Sequence, residues 1–366
     1  MLNWRDPLSP LAGGAERVSL AHLVELRRRG HQVYWFANAH PNLSRTDMVE
    51  DIQIIRGGNK GTSVLAARNW YKTQPFFDLV IDQHHGIPWY APWWCKTNCL
   101  AYIHEVLGPI WQSFYPWPLS AIGKSQEHLT HWLYRNIPFW TVSESTAKKL
   151  RLVGVKKVYV FPNGIDIQPL TCLDEKPMVP PIRLVVVSRL APNKRLDHAI
   201  EVVRLLIQKG FDIFLTIVGT GEEECKLKRL SHHFHLDDKI IFTGSIDEKQ
   251  KNEYLRRSHL LIHASLREGW GLNVIEANAM GTPAIVYPVD GLVDSTIHGK
   301  TGLIAAAETP IALANSVIEM IRSPERYQQI RLNALKHASI HEWKNILPKT
   351  CDWLEEIVQG KNLFRA

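Results

Sequence analysis

The sequence has little cysteine and no long hydrophobic run. It contains 5 Cys in 366 residues, and Cys95 and Cys99 form a lone C-x3-C pair without a second pair or a histidine cluster beside it. Neither a disulfide framework nor a zinc site is therefore predicted. No stretch reaches the ~18 consecutive apolar residues of a membrane-spanning helix, and the first residues lack the basic and apolar regions of a secretory signal. We expect a protein of the reducing cytoplasm.

Acidic residues are scarce in the first half of the chain. Residues 1–165 carry 18 Lys and Arg against 11 Asp and Glu, and they hold ten of the thirteen Trp. Basic charge beside amphipathic aromatic side chains suits an anionic membrane surface or a lipid-linked phosphate acceptor. Tryptophans packed in a core, with the charges on a solvated face, explain the composition equally well. No helix-turn-helix, RNP or zinc-finger signature accompanies the charge, so nucleic acid is not an expected partner.

The length and the order of elements predict two domains, because 366 residues exceed what one core usually holds. Short apolar runs alternate with helical patterns in both halves, and five prolines between residues 162 and 181 interrupt the alternation. We therefore predict an α/β fold with two Rossmann-like βαβ domains facing a central cleft. The predicted bounds are 1–165 for the first domain, 166–181 for the linker, 182–340 for the second domain and 341–366 for helices closing back toward the first.

Continuous apolar runs indicate parallel strands buried on both faces. The predicted strands are residues 32–36, 52–55, 79–82, 100–103, 140–142 and 158–161, then 182–188, 213–218, 240–242, 260–263 and 284–286. Helices are predicted at residues 20–29, 63–73, 124–135, 144–151 and 195–208. Open α/β sheets bind ligands beyond the carboxyl ends of their strands, so the loops after these strands are the candidate site.

Glycines and acids follow the strand predicted at 260–263. Gly269 and Gly271 lie in the loop, Glu268 precedes them, and Glu276 comes eight positions after Glu268 in a helix. Backbone N–H groups at such a helix start bind anions such as a diphosphate. A carboxylate would repel the diphosphate, so each glutamate suits sugar or ribose hydroxyls. A helix N-terminus with favourable acids would give the same pattern without a ligand.

Two cations follow the strand predicted at 182–188. Arg189 is at its carboxyl end and Lys194 at the start of the next helix. They could neutralise a diphosphate leaving group, a task that a divalent metal performs in other transferases. As isolated residues they are equally well explained as surface charges.

These motifs together resemble family 4 retaining glycosyltransferases of the GT-B fold, the glycosyl transferases group 1. The matching pieces are Ser188-Arg189-x4-Lys194, Gly219-Thr220-Gly221, Phe242-Thr243-Gly244, Glu268-x7-Glu276, Gly281-Thr282-Pro283, Gly13-Gly14-Ala15-Glu16, His104-Glu105, Ser143-Glu144-Ser145 and Pro162-Asn163-Gly164. The resemblance runs from Asn3 to about Gly302.

The resemblance implies a role for each matching residue. Arg189 and Lys194 would bind the diphosphate, Glu268 the donor sugar and Glu276 the ribose, and His104 would contact the sugar near the reacting carbon. A strand-end histidine bonded to backbone is the alternative for His104. The other implied donor contacts are Gly14, Asn163, Gly219, Thr243, Gly244, Gly271 and Leu272.

The resemblance also implies the reaction. A hexosyl unit would pass from a UDP- or GDP-sugar to a glycan or lipid-linked glycan with retention, without metal or other cofactor, and the domains would close over the donor. The setting would be cell-surface polysaccharide or glycolipid synthesis, in the cytoplasm and peripherally at the inner face of the membrane. A same-face attack is favoured over a double displacement. A sugar phosphorylase or epimerase of similar fold and an inactive regulatory homologue stay open as alternatives.

One feature departs from the family pattern. Family members have a full first strand before the segment that corresponds to Asn3-Trp4-Arg5-Asp6, whereas here Met1 and Leu2 precede it. We expect either a start further upstream or a weakened sheet in the first domain.

Overall fold

The computed structural model describes residues 1–59, 61–108 and 110–360, which form two compact units. The first unit contains the described residues up to 108, residues 117–164 and those from 343 onward. The second contains the described part of 109–116 and residues 165–342. The segment predicted as a linker, 166–181, thus lies within the second unit, where the Leu170 N–H donates to the Ala279 carbonyl.

The helices follow the predicted alternation with strands. In chain order they are α1 (Gly14–Arg28), α2 (Ser63–Lys72), α3 (Ile110–Phe114), α4 (Leu119–Leu133), α5 (Glu144–Leu152), α6 (Leu196–Gln208), α7 (Glu224–His233), α8 (Glu248–Arg257), α9 (Leu272–Ala279), α10 (Leu292–Ser295), α11 (Pro310–Ile321), α12 (Pro324–Ile340) and α13 (Trp343–Val358). Short 3-10 turns occupy Ala91–Trp93 and Pro192–Lys194.

The strands are β1 (Tyr34–Ala37), β2 (Thr46–Val49), β3 (Ile52–Arg56), β4 (Leu79–His84), β5 (Asn98–Ile103), β6 (Phe139–Thr141), β7 (Val158–Val160), β8 (Ile182–Val187), β9 (Ile213–Val218), β10 (Ile240–Gly244), β11 (Leu260–His263), β12 (Ala284–Val286) and β13 (Gly302–Ile304). The predictions for β9, β11 and β12 are confirmed to the residue. β2 and β13 were not predicted.

The first unit contains two sheet segments, β1-β3-β2 and β4-β5-β6-β7, in which every pairing is parallel except that of β2 with β3. Leu2 joins them through single-residue parallel bridges to Phe36 of β1 and Asp82 of β4. Beside this junction lies a cavity of about 760 Å³, lined in part by Met1, Tyr34 and Leu79. The backbone of residues 1–3 hydrogen-bonds to both segments, and the expected weakening of this sheet stays a prediction.

The second unit contains one six-stranded sheet in the order β10-β9-β8-β11-β12-β13, and all its pairings are parallel. β11 and β12 are buried along their whole length, whereas the edge strand β10 is mostly half-buried, because helices cover the centre of a parallel sheet on both faces. The strand order reverses on either side of β8, which is where such sheets bind ligands.

The last helix, α13, belongs to the first unit. It packs beside α1, where Arg29 donates to Asp352 over 2.7 Å and to Glu355 over 3.3 Å. Gly164 lies against the ring of Trp343, so close that a Cβ there would be 2.2 Å from a ring carbon.

A buried ion pair fixes the segment that leads into α1. Arg56, at the end of β3, donates to both carboxylate oxygens of Asp6 over 2.6 and 2.7 Å, and both side chains are buried. Charges removed from water are tolerated only when paired in good geometry. Asp6 thus ties the approach to the Gly13-Gly14 turn to the sheet.

We expect Asp6→Ala to lower the free energy of unfolding by up to about 3–5 kcal/mol, because the buried guanidinium then loses two hydrogen bonds and keeps Asp47 and the Ser44 carbonyl as acceptors. The measurement is urea unfolding followed by circular dichroism. Asp174→Ala is the matched control, because Arg256 and Asp174 form the same two-pronged pair at the surface. Equal losses in the two variants would show that burial of the Arg56 pair is unimportant.

Candidate active site

The carboxyl ends of β8 and β9 are held together by glycines. A Cβ on Gly219 would lie 2.0 Å from the Ser188 carbonyl oxygen, and one on Gly221 would lie 2.3 Å from that of Leu190. The Leu190 N–H donates to the Thr220 carbonyl over 2.9 Å. Only glycine permits this approach, so the Gly219-Thr220-Gly221 loop sets the position of the backbone around Arg189.

The two predicted cations differ in their surroundings. The Arg189 side chain is exposed, and no hydrogen bond or ion pair joins this side chain to another residue within the described parts of the chain. Lys194 ends a 3-10 turn and donates to the Glu268 carboxylate, which also accepts from the Ser265 hydroxyl over 2.7 Å. Arg189 thus keeps its full hydrogen-bonding capacity, whereas Lys194 shares its charge with Glu268.

Glu268 stays ionised although it is enclosed. Burial alone would raise the pKa of this carboxyl, but the nearby Lys194, His263 and Ser265 outweigh burial and leave its pKa below the ordinary value. His263 Nε2 lies 3.5 Å from the carboxylate, and burial lowers the pKa of this imidazole to about 4. Glu268 is therefore a charged hydrogen-bond acceptor at neutral pH.

A glycine also holds the loop that carries Glu268. Gly291 has a φ of 75°, and a Cβ on it would lie 2.3 Å from the Glu268 carbonyl oxygen. The Glu268 N–H donates to the Asp290 carbonyl over 3.2 Å. The sequence does not predict a role for Gly291, because a glycine outside a motif gives no sign of the backbone that it approaches.

The helix after this loop begins as the sequence predicts. Gly271 adopts a φ of 88° as the N-cap, and Leu272 is the first residue of α9. Glu276 is buried one turn into α9, where it accepts from Lys251 of α8 over 3.1 Å. The sequence does not predict a role for Lys251, because the many charged residues of α8 are typical of a helix exposed to solvent.

The ends of β9 and β10 are joined in the same way. The Gly219 N–H donates to the Gly244 carbonyl over 3.1 Å, and the Thr243 hydroxyl donates to that carbonyl over 3.1 Å. Gly244 has a φ of 69°, which favours glycine at the turn. The second unit therefore gathers nine of the predicted site residues at the carboxyl edge of its sheet and in α9: Arg189, Lys194, Gly219, Thr243, Gly244, Glu268, Gly271, Leu272 and Glu276.

The first unit holds the other three predicted residues. His104 directly follows β5, and burial lowers the pKa of its imidazole to about 3, so the ring is neutral at physiological pH. Its Nε2 lies 3.1 Å from Gln83 Nε2, and the Ser19 hydroxyl donates to Gln83 Oε1 over 2.9 Å. Because the amide oxygen takes the Ser19 proton, the amide nitrogen donates to His104 Nε2 and the ring proton is on Nδ1.

Gln83 was not predicted, although a signal for it exists: it is a polar residue near the carboxyl end of the buried strand β4. The His104 ring contacts the Gln83 side-chain amide through Nε2, and its contact with a donor sugar stays a prediction.

Gly14 is the first residue of the 15-residue helix α1. The Gly13 N–H donates to the buried carboxylate of Glu16 over 2.7 Å, which fixes the turn. Asn163 is buried near the end of the first unit, and its Oδ1 has no hydrogen-bond partner among the residues that the structure covers.

Family models match both halves of the chain. Residues 175–337 match the model described as glycosyl transferases group 1, and residues 12–169 match that described as glycosyltransferase family 4. The chain belongs to these glycosyltransferases. The family predicted from the sequence motifs is thus confirmed.

A curated relative of this glycosyltransferase is D-inositol 3-phosphate glycosyltransferase 2 of Catenulispora acidiphila. It is 27% identical over 191 residues, which are 50% of this chain and 45% of that protein. The alignments span about half the length of the curated relatives that the chain matches.

Two solved structures confirm the GT-B fold of this glycosyltransferase. Sucrose-phosphate synthase of Thermosynechococcus elongatus is similar with a TM-score of 0.82 at 18% identity, over 98% of each chain. HepE of Anabaena, in complex with UDP-glucose, is similar with a TM-score of 0.74 at 16% identity, over 97% of this chain and 98% of that one. Within residues 1–59, 61–108 and 110–360, no helix has the length and apolar character to cross a bilayer.

We expect Lys194→Met to raise the pKa of Glu268. Burial raises this pKa, and the substitution removes the Lys194 charge that counteracts burial. In the wild type the lowered pKa stabilises the fold above the ordinary pKa of the carboxyl, and this stabilisation is lost as the pH falls through the folded-state pKa. If the pKa rises above the ordinary value, the sign reverses, since the folded state then binds the proton more tightly than the unfolded chain and stability increases as the pH falls.

Urea unfolding from about pH 7 down to about pH 4 measures this effect, since ordinary Glu titrates at the lower end. Lys226→Met is the control, because Lys226 forms an exposed pair with Glu223 in the same unit. If Lys194→Met and the wild type lose stability equally with falling pH, Lys194 does not determine the ionisation of Glu268.

Proposed function

We propose that the protein transfers a hexosyl unit from a UDP- or GDP-sugar to a glycan or lipid-linked glycan, with retention of configuration and without metal. The observation that carries the proposal is an exposed, unshared Arg189 together with the half-buried Lys194–Glu268 pair at the carboxyl edge of β8 and β11. Cations beside carboxylates at a strand-end crevice suit a ligand with both a diphosphate and hydroxyl groups. The family and the UDP-glucose complex of HepE support this class of donor.

Each part of the donor has a candidate partner in the second unit. Arg189 and Lys194 bind the diphosphate, with Lys194 between the phosphate oxygens and Glu268. Glu268 accepts from the sugar hydroxyls, and Glu276 accepts from the ribose while Lys251 balances its charge. The main chain at Gly219, Thr243 and Gly244 contacts the base, and the N–H groups at Gly271 and Leu272 face the diphosphate at the helix start.

In the first unit we propose that His104 contacts the donor sugar as a neutral imidazole. Gln83 occupies its Nε2, so Nδ1–H is the group that can donate. Gly14, at the start of α1, lets backbone N–H groups approach the diphosphate, and Asn163 adds a polar contact through its unpaired amide oxygen.

The proposed step is a same-face displacement. The bond from the anomeric carbon to the phosphate oxygen breaks, the acceptor oxygen bonds to that carbon on the same face, and the acceptor proton passes to the departing phosphate oxygen. Arg189 and Lys194 stabilise the negative charge that develops on the diphosphate. Such stabilisation is the role that a divalent metal has in other transferases, so we propose that no metal is needed. The product would enter cell-surface polysaccharide or glycolipid.

We expect one nucleotide diphosphate, with its sugars, to raise the melting temperature in EDTA. Ligand at a hundredfold over its Kd adds about 2.7 kcal/mol of stability. Arg189→Ala/Lys194→Ala should abolish the shift, whereas Lys226→Ala/Lys228→Ala, which removes two exposed cations of α7, should keep it. No shift with any nucleotide, together with phosphate-dependent turnover of a sugar, would replace the proposal by a phosphorylase.

We expect the glycoside formed from that donor to keep the anomeric configuration of the donor, because attack and departure share one face. Proton NMR of the product formed in EDTA measures the coupling constant of its anomeric proton. An inverted product would refute the same-face step, and activity that returns only with a divalent cation would refute the metal-free site.

A further inference from the structure

Helix α4, Leu119–Leu133, buries several polar side chains and exposes several large apolar ones. The residues on its buried face are Ser120, Gly123, Glu127, Thr130 and His131. Its outward face presents large apolar side chains, including Ile122 at 61%, Leu129 at 56% and Trp132 at 54% exposure. A surface helix of a soluble domain normally shows the opposite arrangement.

The buried polar face fixes this orientation. The Glu127 carboxylate accepts from the Leu107 N–H over 2.7 Å and from the Gly108 N–H over 2.9 Å. The Thr130 hydroxyl accepts from Gln126 over 2.7 Å. Rotating the helix to hide its apolar face would break these two hydrogen bonds and leave the backbone donors of Leu107 and Gly108 without Glu127. The first unit is therefore built to hold the apolar face outward.

The charge around this face has one sign. Between residues 117 and 135 the sequence contains one acid, the buried Glu127, while Lys124 and Arg135 are partly exposed. The Arg135 guanidinium lies 4.4 Å from the centre of the Trp132 ring. Trp117, just before the helix, is 83% exposed. Tryptophan and cations beside an apolar stripe are typical of helices that lie in a lipid interface.

A second copy of the chain fits this face less well. A symmetric contact would bring Lys124 and Arg135 of both copies together without an exposed acid from residues 117–135 to pair with them. Anionic headgroups supply the missing charge, and residues 1–165 carry a net excess of Lys and Arg. The charge complementarity thus favours a lipid surface.

We propose that the outward face of α4, with Trp117, docks on an anionic phospholipid bilayer. Leu119, Ile122, Leu129, Trp132 and Leu133 enter the interface, and Lys124 and Arg135 contact the headgroups. Glu127, which turns this face outward, also holds residues 107 and 108, shortly after His104. The docking does not depend on the donor chemistry, and it would bring the chain to a lipid-linked acceptor.

The test is co-sedimentation of the full chain with phospholipid vesicles. We expect binding to vesicles with about one third phosphatidylglycerol, and at least tenfold weaker binding to pure phosphatidylcholine, because each cation near the surface contributes measurably. Ile122→Glu/Leu129→Glu/Trp132→Glu should lower the affinity for the anionic vesicles by at least about tenfold. Lys124→Gln/Arg135→Gln should lower it roughly tenfold and reduce its salt dependence.

The matched control is Ile241→Glu/Ile311→Glu/Ile340→Glu, which changes three exposed isoleucines of the second unit and should leave binding unchanged. Unchanged circular dichroism and an unchanged nucleotide-dependent melting shift in every variant separate docking from folding and from the donor site. Equal binding by the α4 triple variant and the wild type, or no binding by the wild type at low salt, would overturn the proposal. So would a dimer in vesicle-free solution that the α4 substitutions abolish.

Discussion

The candidate site of the second unit depends on the contact between the Gly219-Thr220-Gly221 loop and the backbone of residues 188–190. With 2.0 Å between a notional Gly219 Cβ and the Ser188 carbonyl, no side chain fits at that position. The contact brings the ends of β8 and β9 together, and the bond from Gly219 to the Gly244 carbonyl adds the end of β10. Because three strand ends share one backbone network, the residues that follow them keep fixed positions, as a preorganised site requires.

On this frame the two site carboxylates, the half-buried Glu268 and the buried Glu276, each have their own cation. Glu268 is paired with Lys194, and Glu276 with Lys251. A buried unpaired carboxylate would lose its charge, whereas a paired one keeps it and remains an acceptor for hydroxyl groups. The pairs also reduce the repulsion that two glutamates would exert on a diphosphate. Arg189 has no such partner in the described structure, and its charge is thus the one most available to an anion.

The sequence predicts the fold well where one local property decides it. β9, β11 and β12 are continuous apolar runs, and their bounds match the prediction. β2 was missed because it is short, half-exposed and antiparallel. The motif glycines and acids were found because their spacing is distinctive. Gln83, Lys251 and Gly291 were not predicted. Their contact partners are distant in sequence, so the contacts are known only once the fold is known.

Helix α4 shows a further limit of sequence periodicity. Its apolar spacing reveals a stripe, and the usual inference is that the stripe faces the core. Here the deciding group is Glu127, whose carboxylate satisfies two backbone donors in a loop about twenty residues upstream. Hydrogen bonds from two N–H donors to a charged acceptor are strong. Without Glu127, these two donors would have to bond to water instead. Exposing the apolar side chains opposes this orientation, because each is worth about 1.5–3 kcal/mol when fully buried. Covering the outward face would therefore recover part of that free energy while the two Glu127 hydrogen bonds are kept.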